Sequence, residues 1–119
     1  MSGDQREQAA QPEDLARLFL ERANAGDVEG LVALYEPDAV LAFPPGQVTI
    51  GSQAIRQVYE RLLADRPTFT AGEQRPALRN GDLALTSTRL LDGGATVEVA
   101  RRQADGTWLW VIDQPNVLG

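Results

Sequence analysis

Three short turn signals, Asn80-Gly81, Asp92-Gly93-Gly94 and Asp105-Gly106, recur at regular intervals in the second half of the chain. Asn-Gly and Asp-Gly favour the backbone conformations of tight hairpins. The spacing predicts four strands, at about 68–79, 82–91, 95–103 and 107–113, joined as an antiparallel meander.

The first half has helical spacing. Pro12-Glu13-Asp14 is a helix start, because proline suits the first turn and acids suit the positive end of the helix dipole. Leu15, Leu18, Phe19 and Ala23 follow on one face, and Asn24-Ala25-Gly26 ends the helix. Asp27 caps a short second helix carrying Leu31, Leu34 and Tyr35, which Pro37 stops. A strand at 39–43 precedes the Pro44-Pro45 turn. Gly51-Ser52 opens a third helix with Ile55, Val58, Tyr59 and Leu62 on its apolar face, closed by Pro67. The order α-α-β-α-β-β-β-β predicts one α+β domain over 12–119. The polar segment 1–11 is expected to be a disordered tail, and it lacks the apolar core of a secretory leader.

Composition narrows the chemistry. The chain has no Cys, no His and no Lys, so all 11 of its positive residues are Arg. Thiol nucleophiles, imidazole bases, Schiff-base lysines and Ser-His-Asp triads are excluded. The nitrogen and sulfur ligands of transition metals are missing too, and no Asp/Glu grouping has the spacing of a Mg²⁺ or Ca²⁺ site. No metal and no cofactor is expected. A formal charge of -6 with no basic block argues against nucleic acid or an anionic membrane as partner. No apolar run approaches the roughly 20 residues of a membrane span, and a cytoplasmic location is the default expectation.

Four motifs in order carry a resemblance: Phe19 to Gly26, Tyr35-x-x-Asp38-Ala39, the Gly51-x-x-Ala-Ile-x-x-x-Tyr59-x-x-Leu62 stretch, and Asp105-Gly-x-Trp108 before a strand ending Ile112-Asp113. Together they resemble the nuclear-transport-factor-2-like superfamily, closest to its SnoaL-like and ketosteroid-isomerase-like bacterial proteins. The resemblance implies a cone, a cystatin-like α+β roll in which a strongly curved antiparallel sheet wraps about three N-terminal helices around an apolar pocket. It also implies a homodimer through the outer sheet face. In the isomerases a carboxylate base precedes the proline turn; counting from Tyr35 and Asp38, that position holds Phe43, which accepts no proton. Asp38 itself is expected to serve a Pro-Asp turn.

Asp113, at the end of an apolar strand, is the leading acid/base candidate, because desolvation raises a carboxyl pKa toward neutrality. By resemblance the end of this strand borders the cavity. Glu98 and Arg89 are candidate assistants. Alternation places Thr96, Glu98, Ala100 and Arg102 on one face of their strand and Val97, Val99 and Arg101 on the other. An Arg at the mouth of the cone, Arg89 or Arg101, is suited to a ligand carboxylate or enolate; a solvent-side Glu–Arg ladder is the competing reading. Phe19, Tyr35, Phe43, Tyr59 and Trp110 are the candidate ligand walls, and each also fits an ordinary core position. Trp108 and Trp110 share one strand face.

Two functions follow. One is a pocket protein acting on a small apolar or cyclic molecule as isomerase, hydrolase or cyclase. The other is a non-catalytic ligand-binding or dimerisation module, consistent with Phe43 in the base position.

Overall fold

The computed structural model describes residues 6–118. Three helices come first: α1 (Asp14–Asn24), α2 (Val28–Val32) and, after β1 (Tyr35–Leu41) and β2 (Thr49–Ile50), α3 (Ser52–Leu62). The rest is strand: β3 (Glu73–Gln74), β4 (Leu78–Asn80), β5 (Leu83–Arg89), β6 (Ala95–Arg102) and β7 (Trp108–Gln114). One curved, unclosed sheet runs β2-β1-β7-β6-β5-β3, with β4 also paired to β5.

The expected α+β fold is present, and its local signals act as their chemistry dictates. Asp27 caps α2 by accepting from Gly30 N at 3.0 Å. Gly81, Gly93 and Gly106 hold positive φ at the three hairpin turns, where a Cβ would be strained. Leu15 and Leu18 of α1, Leu31 of α2 and Ile55 of α3 meet Leu41 of β1 in the core, all fully buried. Each such side chain contributes about 1.5–3 kcal/mol by leaving water.

Five expectations need correction. Tyr35 does not sit on the second helix: α2 stops at Val32, and Tyr35 opens β1, paired with Trp110. Pro37 blocks helix continuation but is tolerated in β1, an outer strand for most of its length. Asp38 consequently lies exposed within that strand rather than in a turn. The sheet is not wholly antiparallel, since β1 runs parallel to β7; the helices and the meander intervene between them, which is the long connection a parallel pair requires. The strand expected over 68–79 is reduced to β3 and β4.

The fifth correction concerns the N-terminus. Residues 1–5 lie outside the described residues, but residues 6–11 are built into the fold rather than forming a tail. Ala9 is buried and bridges to Trp108, whose N donates to Ala9 O at 2.9 Å. Arg6 clasps Asp27 with both Nε and Nη2 at 2.8 Å. Buried Arg22 of α1 donates to Gly30 O at 2.7 Å and also to Glu7 O. Two adjacent alanines, Ala9 and Ala10, in a polar run give no periodic signal.

Candidate functional site

β7 carries one residue more than β6 along their shared ladder. Val99 pairs with Ile112, yet Ala100 pairs with Trp110, so Val111 is an extra residue. Such a bulge re-aims the side chains beyond it. Trp108 and Trp110 face inward, and strict alternation would send Ile112 inward and Asp113 to solvent. The offset reverses this: Ile112 is 47% exposed and Asp113 only 5%.

On β6 the inward residues are Glu98 and Ala100. Glu98 pairs directly with Asp113, which brings two buried acids side by side. Thr86 of β5, opposite Glu98 in the ladder, donates its hydroxyl to Glu98 Oε1 at 2.6 Å. Burial pushes the Glu98 carboxyl above the usual range, and hydrogen bonds from Thr86 and Thr96 oppose this.

Asp113 accepts from the Tyr35 hydroxyl at 2.5 Å, and the Tyr35 and Tyr59 oxygens are 2.6 Å apart. A phenol has one proton. Tyr35 directs its own to Asp113, so Tyr59 donates to Tyr35, and the row of hydroxyls points its protons at the carboxylate. Burial raises the Asp113 pKa to about 7; the Tyr35 bond holds it down and the neighbouring Glu98 charge pushes it up. Both phenols are held well above their ordinary value, chiefly by burial and then by the Asp113 charge. They act as donors and do not ionise.

Aromatic rings enclose this row. Trp110 lies 5.2 Å from Tyr35 and 6.0 Å from Phe19 between ring centroids, and Phe19 lies 5.9 Å from Tyr59. Phe19 also meets Phe69 at 6.1 Å, and both are half-buried, so this edge of the cluster leads to the surface. Asn24 fixes the Phe69 backbone, accepting from its N at 2.7 Å and donating to its O at 3.0 Å. The Trp110 indole N–H, fully buried, has no acceptor among the described residues.

The structure thus gathers Asp113, Glu98, Tyr35, Tyr59, Phe19 and Trp110 from α1, α3, β1, β6 and β7. Phe43 packs half-buried against the same core, and its carbonyl accepts from Thr49 Oγ1 at 2.6 Å. The two arginines stand apart. Arg89 is exposed at the end of β5, and Arg101 is on the outer face, its Nε 2.9 Å from Glu36 Oε2. Their alternate-face positions on β5 and β6 keep both from Asp113. Thr86 was missed, although the Asp92-Gly93-Gly94 turn sets the register that places it opposite Glu98.

Two surface hollows lie elsewhere. One of about 300 Å³ sits between the ends of α1 and α3, bordered by Asn24, Gly26, Leu63 and Arg66. One of about 230 Å³ lies on the outer sheet face against Leu78, Leu83, Leu85 and Val99. Neither is lined by Asp113 or its hydroxyl partners. Among the described residues no three metal-ligating side chains converge, and no helix is long and apolar enough to cross a membrane.

Among solved structures, the chain is similar to a ketosteroid isomerase-like protein from Erwinia carotovora, with 22% identity, a TM-score of 0.67, and coverage of 85% of this chain and 88% of that one. It is similar to a putative calcium/calmodulin-dependent protein kinase type II association domain from Thiobacillus denitrificans, at 16% identity, TM-score 0.75, and coverage of 92% and 96%. An NTF2-like protein with a cystatin-like fold from Novosphingobium aromaticivorans gives 24% identity, TM-score 0.64, and coverage of 89% and 79%. At these identities the likeness establishes the fold alone. No curated protein matches the chain. The profile of the SnoaL-like domain matches residues 16–114, nearly the whole described fold from α1 to the last residue of β7, and the chain therefore belongs to the SnoaL-like domain family.

Proposed function

We propose that the chain is a small-molecule acid–base protein whose working group is Asp113, acting on an apolar or cyclic compound bound among the aromatic rings. The observation that carries this reading is a buried carboxyl with a pKa of about 7, 2.5 Å from a phenol that stays neutral. A group half ionised at neutral pH serves both as base and as acid. Ionised Asp113 takes a proton from carbon next to a carbonyl, leaving an enolate and a neutral carboxylic acid. The same proton, or one exchanged from water, returns to carbon. Burial raises the pKa of this step and the Glu98 charge adds to it, and the Tyr59–Tyr35 row orients the carboxylate. Ligand enters beside Phe19, the ring that joins the interior to the surface.

The test is deuterium incorporation next to the carbonyl of 2-cyclohexenone in D₂O, followed by NMR. The wild-type protein accelerates exchange, and Asp113→Asn, folded by circular dichroism, does not. Equal rates for the two proteins overturn the assignment.

A second reading concerns assembly. Leu83 and Leu85 are 41% and 40% exposed on the outer sheet face, beside exposed Leu78 and Ile112, and a contiguous apolar face is an interaction surface. The occupant is a second copy of this chain, so the protein works as a homodimer. Leu85→Glu shifts the sedimentation coefficient from dimer to monomer; a wild-type protein already monomeric at high concentration overturns it.

A further inference from the structure

Neither reading above uses the Asn80-Gly81 turn, and its chemistry differs from that of the other two glycine turns. In all three an Asn or Asp precedes a glycine with positive φ. Such a pair is reactive. The glycine nitrogen can attack the side-chain carbonyl carbon one residue back, because glycine has no Cβ to obstruct the approach. Two kinds of hydrogen bond oppose the attack: one that occupies the glycine N–H and one that occupies the side chain.

At two of the turns both are made. Gly93 N donates to Leu90 O at 3.0 Å, and Asp92 Oδ1 accepts from Gly94 N at 2.8 Å. Gly106 N donates to Gln103 O at 2.9 Å, and Asp105 Oδ1 accepts from Thr107 N at 2.9 Å and from its Oγ1 at 2.7 Å. At Asn80-Gly81 neither is made: among the described residues the Gly81 N–H has no acceptor and the Asn80 side-chain amide has no partner. Both residues are exposed, and a Cβ at Gly81 would meet nothing within 4 Å, so nothing packs against this turn. A neutral amide is also a better target for a nucleophile than an ionised carboxylate. The other two asparagines are protected. Asn24 grips the Phe69 backbone, and Ala25 N donates to Glu21 O at 3.1 Å. Val117 N, which follows Asn116, donates to Ala95 O at 3.0 Å.

We infer that Asn80 is a site of spontaneous covalent modification, in which Gly81 N bonds to Asn80 Cγ and the side-chain nitrogen leaves as ammonia. The departing nitrogen takes the proton that Gly81 N gives up, and the product is a cyclic succinimide. Water then opens the ring. Opening at one carbonyl gives an ordinary aspartate, and opening at the other gives an isoaspartate, whose main chain runs through the former side-chain carbon. Either product adds one negative charge to a chain of formal charge -6. That charge falls on the rim of the outer-face hollow, beside Leu78, Leu83 and Leu85. Isoaspartate also adds one atom to the main chain beside a two-residue hairpin turn. Turn length sets register, so the pairs Asn80–Leu83, Arg79–Ala84 and Leu78–Leu85 are lost. Among the described residues β4 pairs with β5 alone, and it is released. The inference depends neither on proton transfer by Asp113 nor on self-association.

The full chain is incubated in mildly alkaline H₂¹⁸O, one sample folded and one in urea, and its peptides are followed by mass spectrometry. In the folded chain the peptide carrying Asn80 loses its amide and takes up ¹⁸O first. It runs at least about fivefold ahead of those carrying Asn24 and Asn116, the value of the one hydrogen bond that each of their neighbours must give up. Isoaspartate forms at Asp92 and Asp105 in urea and not in the folded chain. The isoaspartate fraction, separated by anion exchange, shows β4 amides that exchange with solvent as an unprotected segment does. Asn80→Ala abolishes the change at this turn and keeps the fold, because the Asn80 side chain holds nothing. An Asn80 peptide that converts no faster than the other two overturns the assignment. So does isoaspartate at Asp92 or Asp105 of the folded chain at the rate seen for Asn80. Protected β4 amides in the isoaspartate fraction overturn the loss of register.

Discussion

Glu98 and Asp113 stand opposite each other across β6 and β7 with both carboxyls turned inward. Two acids this close and this dry do not both ionise easily, because each charge raises the proton affinity of the other. Structural ion pairs behave in the opposite way: Asp27 beside Arg6 and Glu29 beside Arg56 are held below their ordinary values by their arginine partners. The interior pair is built to retain protons at a pH where the surface acids have lost theirs.

That retention makes stability fall as pH rises. The folded pKa of Asp113, about 7, exceeds its ordinary value of 3.8, so between these values the folded chain binds more protons than the unfolded one. Stability from this group is fully present below about pH 4 and is lost as pH climbs through 7, a change of a few kcal/mol. Asp113→Asn keeps an acceptor for Tyr35 and removes the ionisation. Thermal melts from pH 4.5 to 8.5 should show the wild-type Tm declining up to a little above pH 7 and the variant's declining less, since only Glu98 then keeps a raised pKa, with the variant more stable at the alkaline end.

The two neighbours of Asp113 pull its pKa in opposite directions, and their removal should too. Tyr35→Phe deletes the hydrogen bond that favours the charged form, so the midpoint of the pH–stability curve moves up from about 7. It also leaves Tyr59 without its acceptor, costing about 1–3 kcal/mol. Glu98→Gln deletes the like charge, so the midpoint moves down. Carboxyl ¹³C chemical shifts of Asp113 read both changes directly; shifts in the same direction would contradict the assigned causes.

The N-terminal segment should matter more than its polarity suggests. Removing residues 1–11 takes away the Ala9 bridge over Trp108 and the Arg6–Asp27 pair, and it leaves buried Arg22 without Glu7 O. Loss of that charged hydrogen bond alone is about 1.5–3 kcal/mol. Urea denaturation should show at least that loss, and tryptophan emission of the folded truncated chain should shift to the red as Trp108 becomes wet.

Much of this could be read along the chain. The turn glycines, the Asp27 cap and the apolar faces of α1 and α3 are local signals, and they appear where local physics puts them. Asp113 was legible as an acid ending an apolar strand, and Glu98 as its candidate helper. What escaped the sequence is non-local. Nothing in Tyr35-Glu36-Pro37 says that the helix has already stopped and a strand begun, because that choice is made by pairing with Trp110. Alternation separated Glu98 from Arg101, but only the fold shows which face is the inner one. The inward turn of Asp113 runs against the alternation of Trp108 and Trp110, and only the ladder with β6 reveals the offset.

That offset has a consequence for how such an interior changes over time. Trp110, Val111, Ile112 and Asp113 would keep their identities if the surplus residue lay two positions further along β7, yet Ile112 would then line the interior and Asp113 would meet solvent. A buried acid on the inner face of β7 can therefore be gained or lost by a one-residue insertion paired with a nearby deletion, without any change in the interior residues themselves. A comparison of related chains that aligns β7 without gaps would miss the event and count as equivalent two carboxylates facing opposite sides of the sheet.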